Sequence, residues 1–520
     1  MLARRSTVLL LASALILPAG AIAQERTPPD LAPEPATAGT QEGADALRAT
    51  LQAYLTAAPF DLGILRVEPD EAGQRILIDP AEALTGILER PVEFAPLSIV
   101  VSEREDGDWN VFSNDPISAS ATFELDGQER TEEYRQDWQA YKGVYSPALG
   151  TFLSLAGESG PTSQVGSNAM SQTLVGFMGS VFELTAAPAA GGGADLSFRQ
   201  TYEDYAQTMA FEIPLDEGAP DETIAFSFDA SLSAVENVGR ASGLRSRETL
   251  DLYALVLSHA EALAQDARAA LSGPAGDELK GALQAALPLW DDLEMTGQAD
   301  AFSVSTLFGD LSVDRMLQSI RMSGIDEEAF FETELSLTGI EAVSAFVPEW
   351  AADLTPSLIE FGVAVADVDL ATPLAVAIEN ADFEREEVLA PKAIEAVLAA
   401  FDLERIRGTL TGGRIEAALF DLSFEGDVAA ADGRPDARLN LAMRGLDETI
   451  AALQGAAAEM PELNEGIGML QLAKGFSRPG EDGRAVWDIE AKADGSVHLN
   501  GAMLKGPDAP DADGAPAGKL

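Results

Sequence analysis

Oily and polar residues alternate every second position over much of the chain. In the stretch 438–453, Leu439, Leu441 and Met443 alternate with Arg438, Asn440 and Ala442, the period of a strand with one buried face. Gly445-Leu446-Asp447 then breaks the alternation, and Asp447 is placed to cap a helix running through Ile450 and Leu453. Similar wording recurs upstream. Phe361, Val363 and Val365 lead to Val368-Asp369, and Leu335 and Leu337 lead to Gly339-Ile340-Glu341. Phe228, Ala230 and Leu232 lead to Val235-Glu236, and Ile320 and Met322 lead to Gly324-Ile325-Asp326. Each reads as an alternating strand followed by a helix or turn that opens on an acid.

The remaining elements follow in order. Residues 44–57 predict a short helix with Leu47, Leu51 and Leu55 along one face. Segments 63–67 and 75–79 flank a 69–73 turn and predict a hairpin, and 96–103 with 109–113 predict a second around Asp106-Gly107. Segment 117–125 alternates Ile117, Ala119, Ala121, Phe123 and Leu125. In 131–145, Tyr134, Trp138, Tyr141 and Tyr145 recur at helical spacing; such a row belongs to a packed stripe or to a ligand groove, and the packed stripe is the simpler reading. Segment 186–193 is a Pro/Gly/Ala loop without the Lys-Ser/Thr ending of a phosphate cradle. A strand follows at 195–202.

The clearest helix is 247–271, apolar on two stripes and therefore predicted to be sandwiched. Gly273-Pro274 stops it, and a second helix covers 277–287. Further on, Thr372-Pro373 opens a helix ending near Asn380, and 387–403 is helical with a break or restart at Pro391. Segment 414–424 is one strand or a strand pair. A last hairpin, 485–492 with 496–500, turns at Asp494-Gly495.

Polar residues between the apolar ones give sheets a wet face, which favours antiparallel pairing. The spacing of the acids at 236, 326, 341, 369 and 447 is too irregular for a solenoid. The expected fold is α+β: extended, curved, mainly antiparallel sheets with helices packed on one face, in two similar halves joined by a helical pair. The expected division is a signal peptide (1–23), a linker rich in Pro, Ala and Thr (24–43), a β-rich domain (44–243), the helical pair (244–292), a β/α domain (293–503) and a polar tail (504–520).

Composition adds an address. Arg4 and Arg5, an apolar run at 8–18 and the small-x-small set Ala21-Ile22-Ala23 fit an export signal cleaved after Ala23, which places the mature chain in a bacterial periplasm. The alternative is retention of that segment as an anchor. No later stretch reaches transmembrane length free of charge. Lys and Arg total 33 against 86 Asp and Glu, a net charge of −53. That field repels nucleic acid and anionic membrane surfaces and attracts cations or a basic protein partner. The 520 residues include no cysteine, so disulfides, thiolate metal sites and a cysteine nucleophile are excluded.

Candidate chemistry is sparse. His259 and His498 are the two histidines, and neither has a metal-ligand partner at helix spacing. Gly157-Glu158-Ser159-Gly160-Pro161 misses a nucleophile elbow by one place, and its proline spoils the turn. Asp508, Asp511, Asp513 and Gly514 resemble the start of a calcium loop without its closing Glu. The five acids after the recurring strands are explained more simply by capping and turns than as ligands. No catalytic, cofactor or metal residue is therefore assigned.

The signal at Ala21-Ile22-Ala23, the aromatic stretch Tyr134 to Tyr145 followed by Ser146-Pro147-Ala148-Leu149-Gly150, the Gly191 to Gly193 loop and the Leu439 to Leu453 unit together resemble a family of uncharacterised exported bacterial proteins, catalogued as a domain of unknown function. The close at Val497-His498-Leu499-Asn500-Gly501 is more loosely similar to AsmA-like and YdgA-like envelope proteins. That resemblance implies long sheets forming an apolar groove, with lipid handling and envelope upkeep. The chain departs from it in lacking a clear retained anchor helix. The expected function is a non-enzymatic periplasmic protein holding a lipid or hydrophobic ligand, without a cofactor. The alternative is an acidic adaptor for a basic envelope protein, and a hydrolase stands behind both.

Overall fold

The computed structural model describes residues 33, 38–125, 127–168, 170–214, 223–344, 347–431, 434–458 and 460–508. The chain divides into two compact units, one of Met1–Arg315 with Ile378–Ala390, the other of Met316–Ala377 with Pro391–Leu520. Both are built mainly of antiparallel strands.

The first unit opens with helices α1 (Gln41–Leu55) and α2 (Ala58–Asp61), strands β1 (Leu65–Asp70) and β2 (Gly73–Ile78), and helix α3 (Ala81–Leu88). Strands β3 (Val92–Phe94), β4 (Leu97–Glu103), β5 (Trp109–Ser113), β6 (Ile117–Leu125), β7 (Gln128–Gln136) and β8 (Gln139–Ser146) follow. Next come β9 (Thr151–Ser159), β10 (Thr162–Asn168), β11 (Ser171–Phe177), β12 (Gly179–Pro188), β13 (Ala194–Pro214) and β14 (Thr223–Leu244). Helices α4 (Ser246–Ser258), α5 (Ala260–Ala270) and α6 (Pro274–Ala286) precede β15 (Asp292–Thr306).

The registers reveal that many of these short strands are halves of longer ones. β7 pairs with β10 and β8 with β9, and the register is continuous: Gln136 faces Thr162, and Gln139 faces Ser159. β10 and β9 continue in the same way onto β11 and β12. Both of those then lie along the single strand β13, β11 on its second half and β12 on its first. The strands therefore share one line of interruption, a crease, at 137–138, 160–161, 178 and 204. It continues at Ser233 of β14 and Ala301 of β15, where pairing skips from Ala234–Asp300 to Ser231–Ser303. Asp204 and Ala301 take positive φ (50° and 52°) at this line.

At the crease the alternation steps by three instead of two. On β13 the inward positions run Phe198, Gln200, Tyr202 and then Tyr205, Gln207, Met209, Phe211. Because every strand carries the extra residue, the register stays continuous while the oily face keeps to one side of the sheet. Gln136, Ser159, Thr162, Phe177 and Ser180 on that face are buried, whereas Asp137, Asp204, Ser233 and Ala301 on the other are exposed. The crease is therefore concave towards the aromatic face.

In the second unit, β16 (Gly309–Ser323) crosses the division at Arg315. β17 (Ala329–Val343), helix α7 (Glu349–Ala352), β18 (Pro356–Val368), helices α8 (Ala371–Asn380) and α9 (Pro391–Ala400), β19 (Arg407–Ala417), β20 (Asp421–Ala431) and β21 (Arg434–Arg444) follow. Helices α10 (Leu446–Ala456) and α11 (Leu463–Phe476) and strands β22 (Arg478–Pro479), β23 (Ala485–Ala491), β24 (Val497–Leu499) and β25 (Ala502–Lys505) complete it. β17 to β21 form a meander that continues through β23, β24 and β25. Its core joins Leu446 and Ile450 of α10 and Ile467 of α11 to Trp487 of β23, with Leu441 and Met443 beside them. The Trp487 indole N–H donates to the Ala473 carbonyl at 2.7 Å, so this aromatic fills the core without leaving its polar atom unpaired.

Several expectations are corrected. Tyr134 to Tyr145 lie on β7 and β8, not on a helix. The 247–271 helix is two, broken at His259; α4 packs against both α1 and α6, while its Tyr253 and Val256 stay exposed. Gly273-Pro274 begins α6 rather than merely ending its predecessor. Of the five strand-to-acid units, those at Asp369 and Asp447 do open helices, with Gly445 in the cap position and Asp447 in the first turn. The breaks at 232–235 and at Gly339 fall inside β14 and β17. A three-residue step can mark a break inside a strand as well as a helix start.

Candidate functional site

The concave side of the crease gathers an uncharged polar and aromatic cluster. It exists because β7, β9, β10, β12 and β13 each bring one or two hydroxyl, amide or phenol groups to the same level. Gln136 Nε2 donates to Thr162 Oγ1 at 3.1 Å, and Thr162 Oγ1 donates in turn to the Gly160 carbonyl at 3.3 Å. Ser159 and Ser180 share a hydrogen bond of 2.7 Å. Phe177 and Tyr202 meet edge to face with ring centres 5.3 Å apart. Tyr205 donates to Gln207 Oε1 at 3.3 Å.

Glycines make room for the rings. A β-carbon at Gly157 would enter the Tyr141 ring, one at Gly239 the Phe198 ring, and one at Gly160 the Trp138 indole. In each case the aromatic of one strand covers a bare backbone on its neighbour.

The phenols here are neutral. Burial pushes Tyr134 and Tyr141 up from the ordinary tyrosine value, and their hydrogen bonds with Thr162 and Ser180 oppose this. Tyr202 is pushed up to about 12, first by burial and then by the nearby Tyr141. Groups that hold their protons so firmly donate and accept hydrogen bonds but do not act as bases near neutral pH.

On the convex side the charges are paired. Asp300, held below the usual carboxylate range by the amide of Gln298 and the guanidinium of Arg315, lies 2.9 Å from Arg315 Nε. Arg135 Nε lies 2.7 Å from Asp137, and Arg199 Nε lies 2.8 Å from Glu236.

The residues singled out by sequence are placed as follows. Ser159, the serine of the near-miss elbow, is 0% exposed in the cluster and bonded to Ser180. His259 sits at the α4–α5 break. His498 faces Glu490 across β23–β24. Ser159 and His259 belong to the first unit and His498 to the second. Asp326 caps a turn through the Glu328 N–H and Asp369 caps α8 through the Thr372 N–H. Asp447 pairs with Lys474, and Glu341 stands exposed near the end of β17. Asp508 pairs with Lys505 at 2.8 Å, while Asp511, Asp513 and Gly514 lie outside the described residues. Among the described residues no group of three or more His, Asp or Glu side chains could hold a metal ion. No helix among them is long and apolar enough to cross a membrane.

Sequence reading missed Gln136, Thr162, Ser180, Tyr202 and Gln207. Their only signal was a three-residue step in the alternation of several successive strands. The tyrosines were noticed, but for the wrong geometry.

Compared with family models, curated proteins and solved structures, the chain matches none.

Proposed function

We propose that this is a non-enzymatic periplasmic protein that holds a lipid or another hydrophobic ligand on the concave face of its creased sheet, in service of the cell envelope. The observation that carries this reading is the contrast between the two faces of β13 and β14. Inward positions such as Phe198, Met209, Phe228 and Leu232 are apolar yet only half-buried. Outward positions such as Arg199, Asp229 and Arg240 are charged. Apolar surface left partly open, rimmed by polar residues, favours a ligand. In this reading, helices layer one face of the sheets, the strands before and after the α4–α6 segment are similar halves, and residues 1–23 direct export.

The test is mass spectrometry of an organic extract of protein purified from its natural host without detergent. Lipid in near-stoichiometric amount is expected, and a lipid-free extract removes the reading.

A second reading rests on the charge of −53: an adaptor that captures a basic envelope protein. Its signature is a pull-down yield that falls steeply with added salt. A yield unchanged by salt contradicts it.

A further inference from the structure

We propose that the concave trough over β13, β14 and β15 selects an amphiphile with an uncharged, hydrogen-bonding head group and discriminates against an anionic one such as a fatty carboxylate. This rests on the ligand-holding reading above and adds the class of ligand.

Three observations carry it. Along β13 the inward positions nearest the crease are polar but neutral, Gln200, Tyr202, Tyr205 and Gln207, and Asn237 of β14 faces Gln200; the inward neighbours Leu232 and Val235 of β14 are apolar. To either side they turn apolar, with Phe198 and Met295 on one limb and Phe211 and Phe228 on the other, the Phe211 ring stacked on Phe226 at 5.0 Å. No lysine or arginine occupies an inward position on β13, β14 or β15 among the described residues; Arg199 and Arg240 point to the opposite face and pair with Glu236 and Glu294.

The Asn237 carboxamide lies over Gly297 on β15, where a β-carbon would sit 3.1 Å from Asn237 Oδ1. It is half-buried and makes no hydrogen bond among the described residues. A free amide opposite Gln200 satisfies a hydroxyl or amide group of a ligand. A carboxylate at the same level would be desolvated with no cation to pair with, in a chain already strongly negative, and that is costly. Apolar surface on both sides of the belt accepts an acyl chain.

The test uses full-length protein and two probes of equal chain length, 1-monooleoylglycerol and oleate, each below its micellar threshold at pH 8, read by equilibrium dialysis. Monooleoylglycerol should bind at least about tenfold more tightly, and Asn237→Asp should weaken it by about tenfold, the cost of an unpaired charge in a partly dry site. Gln207→Glu repeats the trial should Asn237→Asp fail to fold, as judged by circular dichroism. Oleate binding as tightly as the glyceride, or Asn237→Asp and Gln207→Glu binding as wild type does, overturns the inference and leaves the ligand-holding reading standing. Binding of neither probe overturns both.

Discussion

The Tyr141 ring lies flat over Gly157, its partner across β8 and β9, in the space a side chain there would need. Gly157→Ala should therefore force the ring off the sheet and cost about 1–3 kcal/mol by urea denaturation. Gly281→Ala is the contrast. Gly281 lies exposed in helix α6, with nothing within 4 Å of the place an alanine methyl would take, and the substitution should gain about 0.5–1 kcal/mol.

Asp421 is the most buried acid among the described residues, 2% exposed. Arg484 Nη2 lies 2.7 Å away, Arg414 Nε 3.2 Å and Arg444 Nη2 3.4 Å. Burial acts to raise its carboxyl pKa, but the hydrogen bonds from Arg414 and Arg484 outweigh this and the net shift is downward. Its contribution is thus present above the unfolded carboxyl value and is lost as pH falls through the lower folded value. Asp421→Asn should cost about 3–5 kcal/mol at neutral pH. It should also flatten the fall of stability below about pH 4, measured as urea midpoints against pH.

The tyrosines set the opposite limit. Tyr202 is pushed up to about 12, first by burial, whereas its unfolded form ionises near about 10. Its neutral state therefore contributes stability in full below about pH 10, and that contribution drains away as pH climbs towards the folded value. Absorbance at the tyrosinate band should show a late-titrating fraction in folded protein. Tyr202→Phe should remove part of that fraction.

Asp204 takes a φ of 50° on the exposed side of the crease. Asp204→Gly should leave stability unchanged or slightly raised, because glycine reaches that region freely. Asp204→Val should cost about 1–2 kcal/mol, since a branched β-carbon clashes there. Equal midpoints for the two variants in thermal melts would show that the crease does not depend on this backbone conformation.

Much of the strand content was legible because single-faced sheets write an alternation into the sequence. Hairpins β4–β5 and β23–β24 and the restart of α9 at Pro391 could be read directly. The crease could not. Tyr134 and Tyr141 are seven residues apart, an odd separation that alternation assigns to opposite faces and a helix assigns to one. They share a face because the break at 137–138 shifts the parity. The step from Leu232 to Val235 is ambiguous in the same way. Only pairing with neighbouring strands tells such a crease from a helix start, and pairing is long-range information. The site was illegible for the same reason: Gln136, Ser159, Ser180 and Tyr202 are scattered in sequence and meet only through register.

The central claim is that the ligand lies along the creased face. Irradiating full-length protein with a monoacylglycerol that carries a diazirine in its acyl chain, then mapping labelled peptides by mass spectrometry, tests it most directly. The account predicts labels on the peptides containing Phe198, Phe228 and Met295. Labels confined instead to the exposed Met469, Leu472 and Phe476 of α11 would contradict it.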